Sequence, residues 1–188
     1  MNLIRFMLAK FRKEHPHTHF SPAPDNPDIA KGNERFKPYP AKTFLGGQNL
    51  YAYYLLVMLK HDDSPELQAL IATRFGDQEL KNGTTLRNEN QESLAVAYHK
   101  EFGGIVVEAT TNSIPLIREF DSHFPAPPPP WIAFPKMQPI EAQMDKQGSL
   151  EYWWSRIWLP FWSTRTPVEK ERYLLDNGAS AEWSEVLS

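Results

Sequence analysis

Three kinds of side chain in this sequence are spaced in ways that bear on chemistry: histidines, carboxylates and indoles. His15, His17 and His19 alternate in His-Pro-His-Thr-His. An extended backbone turns alternate side chains the same way, so the three imidazoles would share one side, as a divalent cation requires. The nearest acids are Glu14, Asp25 and Asp28, and the surrounding prolines make the stretch a loop. No physiological metal and no other cofactor is therefore expected. His61-Asp62-Asp63 resembles a fragment of a metal-phosphohydrolase pattern. One His–Asp pair is a weak signal, and a helix boundary explains it better, with histidine at a C-terminus and acids ahead of the next N-terminus. His61, Asp62 and His99 carry the alternative reading of function, a small hydrolase or transferase with a His/Asp/Glu site. No G-x-S-x-G, G-x-x-x-x-G-K-[ST] or G-x-G-x-x-G run occurs, so no familiar nucleophile elbow or phosphate cradle supports it. The absence of cysteine removes disulfides, thiolate metal sites and cysteine nucleophiles.

The indoles concentrate near the C-terminal end. Leu150, Trp153, Trp154, Ile157, Trp158 and Phe161 recur at helical spacing over Ser149–Trp162, with Glu151, Ser155 and Arg156 on the other side. Such a stripe predicts a core helix, here packed against the apolar run Leu50–Leu59. Pro160 would clash with the carbonyl four residues back, so the helix should kink or end near Trp158. At that kink and along the edge, Trp154, Arg156 and Trp162 are candidates for a partner surface, because Trp, Tyr and Arg dominate binding hot spots. Glu108, Glu119 and Asp121 are the carboxylates assigned to the same role. Glu101, Glu108 and Glu119 are also candidates to pair with Arg74, Arg87 or Arg118.

Charge narrows the partners. The net charge is −3, but residues 1–42 hold eight Lys/Arg against four Asp/Glu, and residues 43–130 hold six against eleven. The only basic cluster, Lys10, Arg12 and Lys13, is too small for a nucleic-acid footprint. The longest apolar run, Leu50–Leu59, is far short of the roughly 20 residues of a membrane span, and Arg5 and Lys10 interrupt the apolar residues of the N-terminal segment. The expectation is a cytoplasmic protein. A membrane-surface role for an amphipathic N-terminal helix is a third, weaker alternative.

These groups need elements to position them. Leu3, Phe6, Met7 and Phe11 predict a helix over Asn2–Lys13. Residues 14–47 read as an extended Pro-rich strap. Within residues 48–124, helices are expected over Gln48–His61, Glu66–Phe75, Gln91–Phe102 and Ile114–His123. Ile105-Val106-Val107 is the best strand, with Thr84–Leu86 as a weak partner. Residues 125–148 form a Pro-rich connection; its P-x-x-P pairs, Pro125/Pro128 and Pro127/Pro130, suit either a rigid strap or a groove ligand. Residues 149–188 form an aromatic helical module in which Thr166-Pro167-Val168-Glu169 marks a helix start. The expected fold is thus one mainly α domain with at most one small β element. The expected function is non-enzymatic binding of another protein, a cognate toxin met by an immunity-type protein being one such pair, since an acidic face speeds association with a basic partner.

Overall fold

A computed structural model describes Phe20, residues 26–77 and residues 83–188. The expected Asn2–Lys13 helix and the His15, His17 and His19 series lie outside the described residues.

The mainly α expectation fails. Among the described residues, five strands form one antiparallel sheet: β1 (Ala41–Phe44), β2 (Tyr53–Leu59), β3 (Thr84–Arg87), β4 (Ser93–Glu101) and β5 (Gly104–Thr111), in the order β1-β2-β5-β4-β3. Two segments expected to be helical are strands. The run within Gln48–His61 is β2, and Gln91–Phe102 holds β4. The physical reason is two-sided burial. Tyr53, Leu55, Val57 and Leu59 face one core, while Leu56 and Met58 face the other. A strand covered on both sides is apolar without interruption, which erases the period of two that would mark it. In β4, Leu94, Ala97, Tyr98 and Phe102 fall at helical spacing by coincidence. Leu94 and Val96 share a core across one strand position. Ile105–Val107 lies within β5, but its partners are β2 and β4, and Thr84–Arg87 pairs with β4 instead.

Phe102-Gly103, at the end of the segment expected as the Gln91–Phe102 helix, joins β4 to β5. Both residues have positive φ, 54° and 66°, as a two-residue hairpin turn matching strand twist requires. A Cβ at Gly103 would meet the Ile132 carbonyl oxygen at 2.3 Å, so glycine is obligatory there on two counts. Phe102 accepts the unfavourable backbone while its ring is buried against Phe134.

The sheet is the middle of three layers. One face is covered by α1 (Ser64–Phe75) and α2 (Ile114–His123), which contribute Leu67, Leu70, Ile71, Phe75, Ile117 and Phe120 to a core of mixed aliphatic and phenyl side chains with no tryptophan. The start of α2 is written locally: Ser113 Oγ accepts from Leu116 N at 3.3 Å, and Pro115 sits in the first turn. The other face is covered by the C-terminal module. Its first helix runs as α3 (Gly148–Trp153), widens into a π turn over Trp154–Trp158, and resumes as Leu159–Trp162. Pro160 explains the widening, because it lacks the N–H that would bind the Arg156 carbonyl and its ring needs room there. Helices α4 (Pro167–Asp176) and α5 (Ala181–Leu187) close the module. Trp158 is fully buried and stacks on Trp153 and Trp162 at centroid distances of 5.6 and 4.9 Å. Pro127 to Pro130 are buried too, and the Pro127 carbonyl accepts from Tyr173 OH at 2.6 Å. Among the described residues no helix is long and apolar enough to cross a membrane.

Candidate functional site

Strand register gathers a polar cluster onto the sheet face under the aromatic module. Glu108 on β5 stands between Leu56 on β2 and Ala97 on β4. One row away, Tyr54 and Ala95 flank Thr110; one row the other way, Met58 and His99 flank Val106. Side chains paired across antiparallel strands share a face, so Tyr54, Glu108 and His99 project together. The helix crossing that face adds Tyr152 just before the π turn and Arg156 within it.

Tyr54 OH donates to Glu108 Oε2 at 3.1 Å, and His99 Nε2 lies 3.6 Å from Glu108 Oε1. The Glu108 side chain is 16% exposed and that of His99 47%, so the carboxylate forms the floor and the imidazole the rim. Burial pushes the Tyr54 hydroxyl well above its usual range, Glu108 adds to the push, and the charge of Arg156 opposes it. Tyr152 is raised to about 12 by burial first, then by Glu108, with Arg156 opposing and Glu101 reinforcing. Both phenols are therefore held as neutral hydrogen-bond donors. The Tyr152 ring stacks on Phe102 at 6.3 Å and 28°. The strained hairpin turn thus also orients a wall of the cluster. Next along the helix, Lys146 Nζ sits 4.2 Å over the Trp154 ring, a cation–π contact held by hydrogen bonds to the Ala142 and Met144 carbonyls.

The candidates named from sequence separate. Glu108 and Arg156 belong to this face, whereas Trp154, two residues along the helix from each of Tyr152 and Arg156, packs beside Trp153 and Trp158 under Lys146. Trp162 is buried in the aromatic core. Glu119 and Asp121 lie on α2, behind the sheet. Glu119 pairs with Arg74 at 3.6 Å, and Asp121 is buried in an ion pair with Lys42 while accepting from Lys37 N at 3.1 Å. His61 and Asp62 lie in an exposed turn after β2, where Asp63 accepts from Lys60 N at 2.8 Å. No group of three or more His, Cys, Asp or Glu side chains able to hold a metal forms among the described residues. Tyr54 and Tyr152 escaped the sequence reading, because they were read as parts of helices packed in a core. Once β2 is a strand, the alternation of Tyr54 with Tyr53 and Leu55 is the signal that finds it. Compared with protein-family models, curated proteins and solved structures, the chain matches none of them.

Proposed function

We propose that this chain works by binding another protein at the face where the aromatic helix crosses the sheet. The observation that carries the reading is Arg156. It is exposed, stands within electrostatic reach of Tyr54 and Tyr152, and its guanidinium makes no hydrogen bond or ion pair among the described residues. An exposed guanidinium one helical turn from the Tyr152 ring is a residue pair of the kind that concentrates binding energy. Nothing in the fold narrows the partner to a toxin. Affinity capture from a native extract, with wild type beside a Tyr152→Ala/Arg156→Ala variant of unchanged melting temperature, tests the reading. Wild type should retain a stoichiometric partner that the variant loses. Equal recovery by both, or none by either, counts against it.

A second reading, enzymatic, rests on the His99–Glu108 approach, since a carboxylate beside an imidazole can orient it for acid–base work. A panel of chromogenic esters and phosphoesters tests it. Turnover abolished by His99→Ala would favour the enzyme, and the same background rate in both proteins would remove it.

A further inference from the structure

We infer that the tryptophan stack carries a one-electron oxidation inward from the surface and delivers it to Tyr54, whose hydroxyl proton passes to Glu108. This makes the chain a radical relay, an activity independent of partner binding.

Trp158 is fully buried, and its Nε1–H has no acceptor among the described residues. Orphaned buried groups are rare enough to need a reason, and a redox role is one. An oxidised indole ordinarily sheds its Nε1 proton, which traps the radical where it formed. Nothing is placed to take that proton from Trp158. The Trp153 Nε1–H meets only the Met58 thioether, at 2.8 Å, which is not a base. A positive hole on either ring therefore keeps its charge and stays free to move. The path for it is continuous. Electron exchange between rings falls steeply with separation, and these rings touch. Centroids are 5.9 Å apart for Trp154 and Trp153, 5.6 Å for Trp153 and Trp158, and 4.9 Å for Trp158 and Trp162. The last two pairs are nearly parallel, at 14° and 17°. With no cysteine in the chain, no internal thiol intercepts the hole.

Fixed charge sets the direction. Lys146 Nζ sits 4.2 Å over Trp154, and Lys170 Nζ sits 5.1 Å over Trp162. A cation beside a ring disfavours a second positive charge on it, so both ends of the stack turn the hole toward Trp153 and Trp158. Tyr54 packs against the same cluster and donates to Glu108 Oε2 at 3.1 Å. That carboxylate favours positive charge nearby and can accept the proton that an oxidised tyrosine must lose. The other phenols of this core lack such a base. Tyr173 donates to the Pro127 carbonyl, Tyr39 OH accepts from Met58 N, and Tyr152 feels Glu108 as a charge without a hydrogen bond.

A one-electron oxidant, an oxygen- or nitrogen-derived radical, takes an electron from half-buried Trp154. The stack refills that vacancy, and Tyr54 supplies the last electron. Its O–H bond breaks, and the proton forms an O–H bond on Glu108. The products are a neutral tyrosyl radical, a neutral carboxylic acid and the reduced oxidant. A one-electron reductant such as a thiolate restores the electron, and Glu108 returns the proton.

The test is pulse radiolysis of the full chain with azide radical, which oxidises tryptophan. Tryptophanyl absorbance should decay, and tyrosyl absorbance rise, at one rate independent of protein concentration. Glu108→Gln keeps an acceptor for Tyr54 but is no base, and should slow the conversion about a hundred-fold. Tyr54→Phe should leave the radical on tryptophan, and Trp158→Phe, which keeps a ring in the core, should slow the transfer. Tyr53→Phe should change nothing, because that phenol pairs with Glu34 at 2.7 Å in the core without tryptophan. A wild-type rate and tyrosyl yield in Tyr54→Phe, Glu108→Gln or Trp158→Phe would overturn the relay. So would a conversion that speeds up with protein concentration, the mark of transfer between molecules, or no tyrosyl radical at all.

Discussion

Two glutamates on opposite sides of one sheet show how differently a fold can treat a carboxylate. Glu92 precedes β4 and is 1% exposed. It accepts from Arg74 Nη1 at 2.9 and 3.1 Å, from Ser113 Oγ at 2.6 Å and from Asn88 Nδ2. Asn88 also receives the Glu92 N–H at 3.1 Å, and Asn112 Oδ1 receives Ser93 N at 2.7 Å. That network ties α1, α2 and the β3–β4 turn together and gives each Glu92 oxygen two donors. Glu108 has one hydrogen bond and one longer approach, both from its own face. A closed set of partners makes a carboxylate part of the framework. An open set leaves it with binding capacity. The contrast extends to the two cores. The face under α1 and α2 is a hydrophobic core without tryptophan, whereas the face under the tryptophan-rich module ends in the polar margin of Tyr54, Glu108 and His99.

The contrast can be tested by removing its parts. The largest effect is expected at Trp158, which anchors the aromatic layer. Trp158→Ala should cost about 4 kcal/mol in urea unfolding, a transfer loss plus a cavity. If it costs under about 1 kcal/mol, the module is not a core layer. Next is Glu92→Ala, expected to lose about 3 kcal/mol because it strands the Arg74 charge against the sheet. Glu108→Gln should change stability by less than about 1 kcal/mol, since the Tyr54 hydrogen bond survives. Equal losses at the two glutamates would erase the distinction drawn between them. The smallest effect concerns Glu169, whose carboxyl is held below its ordinary 4.5 mainly by the Thr166 backbone N–H. A lowered folded value stabilises above the unfolded pKa, and the stabilisation is lost as pH falls through the folded value. The melting temperature of Glu169→Ala should therefore trail wild type at pH 7 and converge with it as the pH drops below 4.5. A constant gap down to strongly acidic pH would mean that the carboxylate charge contributes nothing to the cap.

Legibility in the sequence divided along the range of the interactions. The capping box at Thr166 and Glu169 is closed by hydrogen bonds of 2.8 and 3.3 Å over three residues. The Ser113 cap also spans three. Pro160 announced a break that takes the form of a π turn. Arg156, placed at that break from sequence, sits beside the cluster, while Trp154 packs with Trp153 and Trp158. Tyr54 and His99, by contrast, were assigned to helices, and their approach to Glu108 depends on a register between strands separated by up to 54 residues. No local pattern encodes that distance.

The chain by itself determined where α4 starts, that its tryptophans belong mostly inside, and where proline would disturb the aromatic helix. These follow from backbone donors, caps and sterics within a turn or two. Tertiary structure alone decided that Tyr53–Leu59 and Ser93–Glu101 are strands, because a segment buried on both sides has the same apolar composition in either conformation. Only its pairing partners choose between them. That choice placed Tyr54, His99 and Glu108 on one surface and set Tyr152 and Arg156 against them.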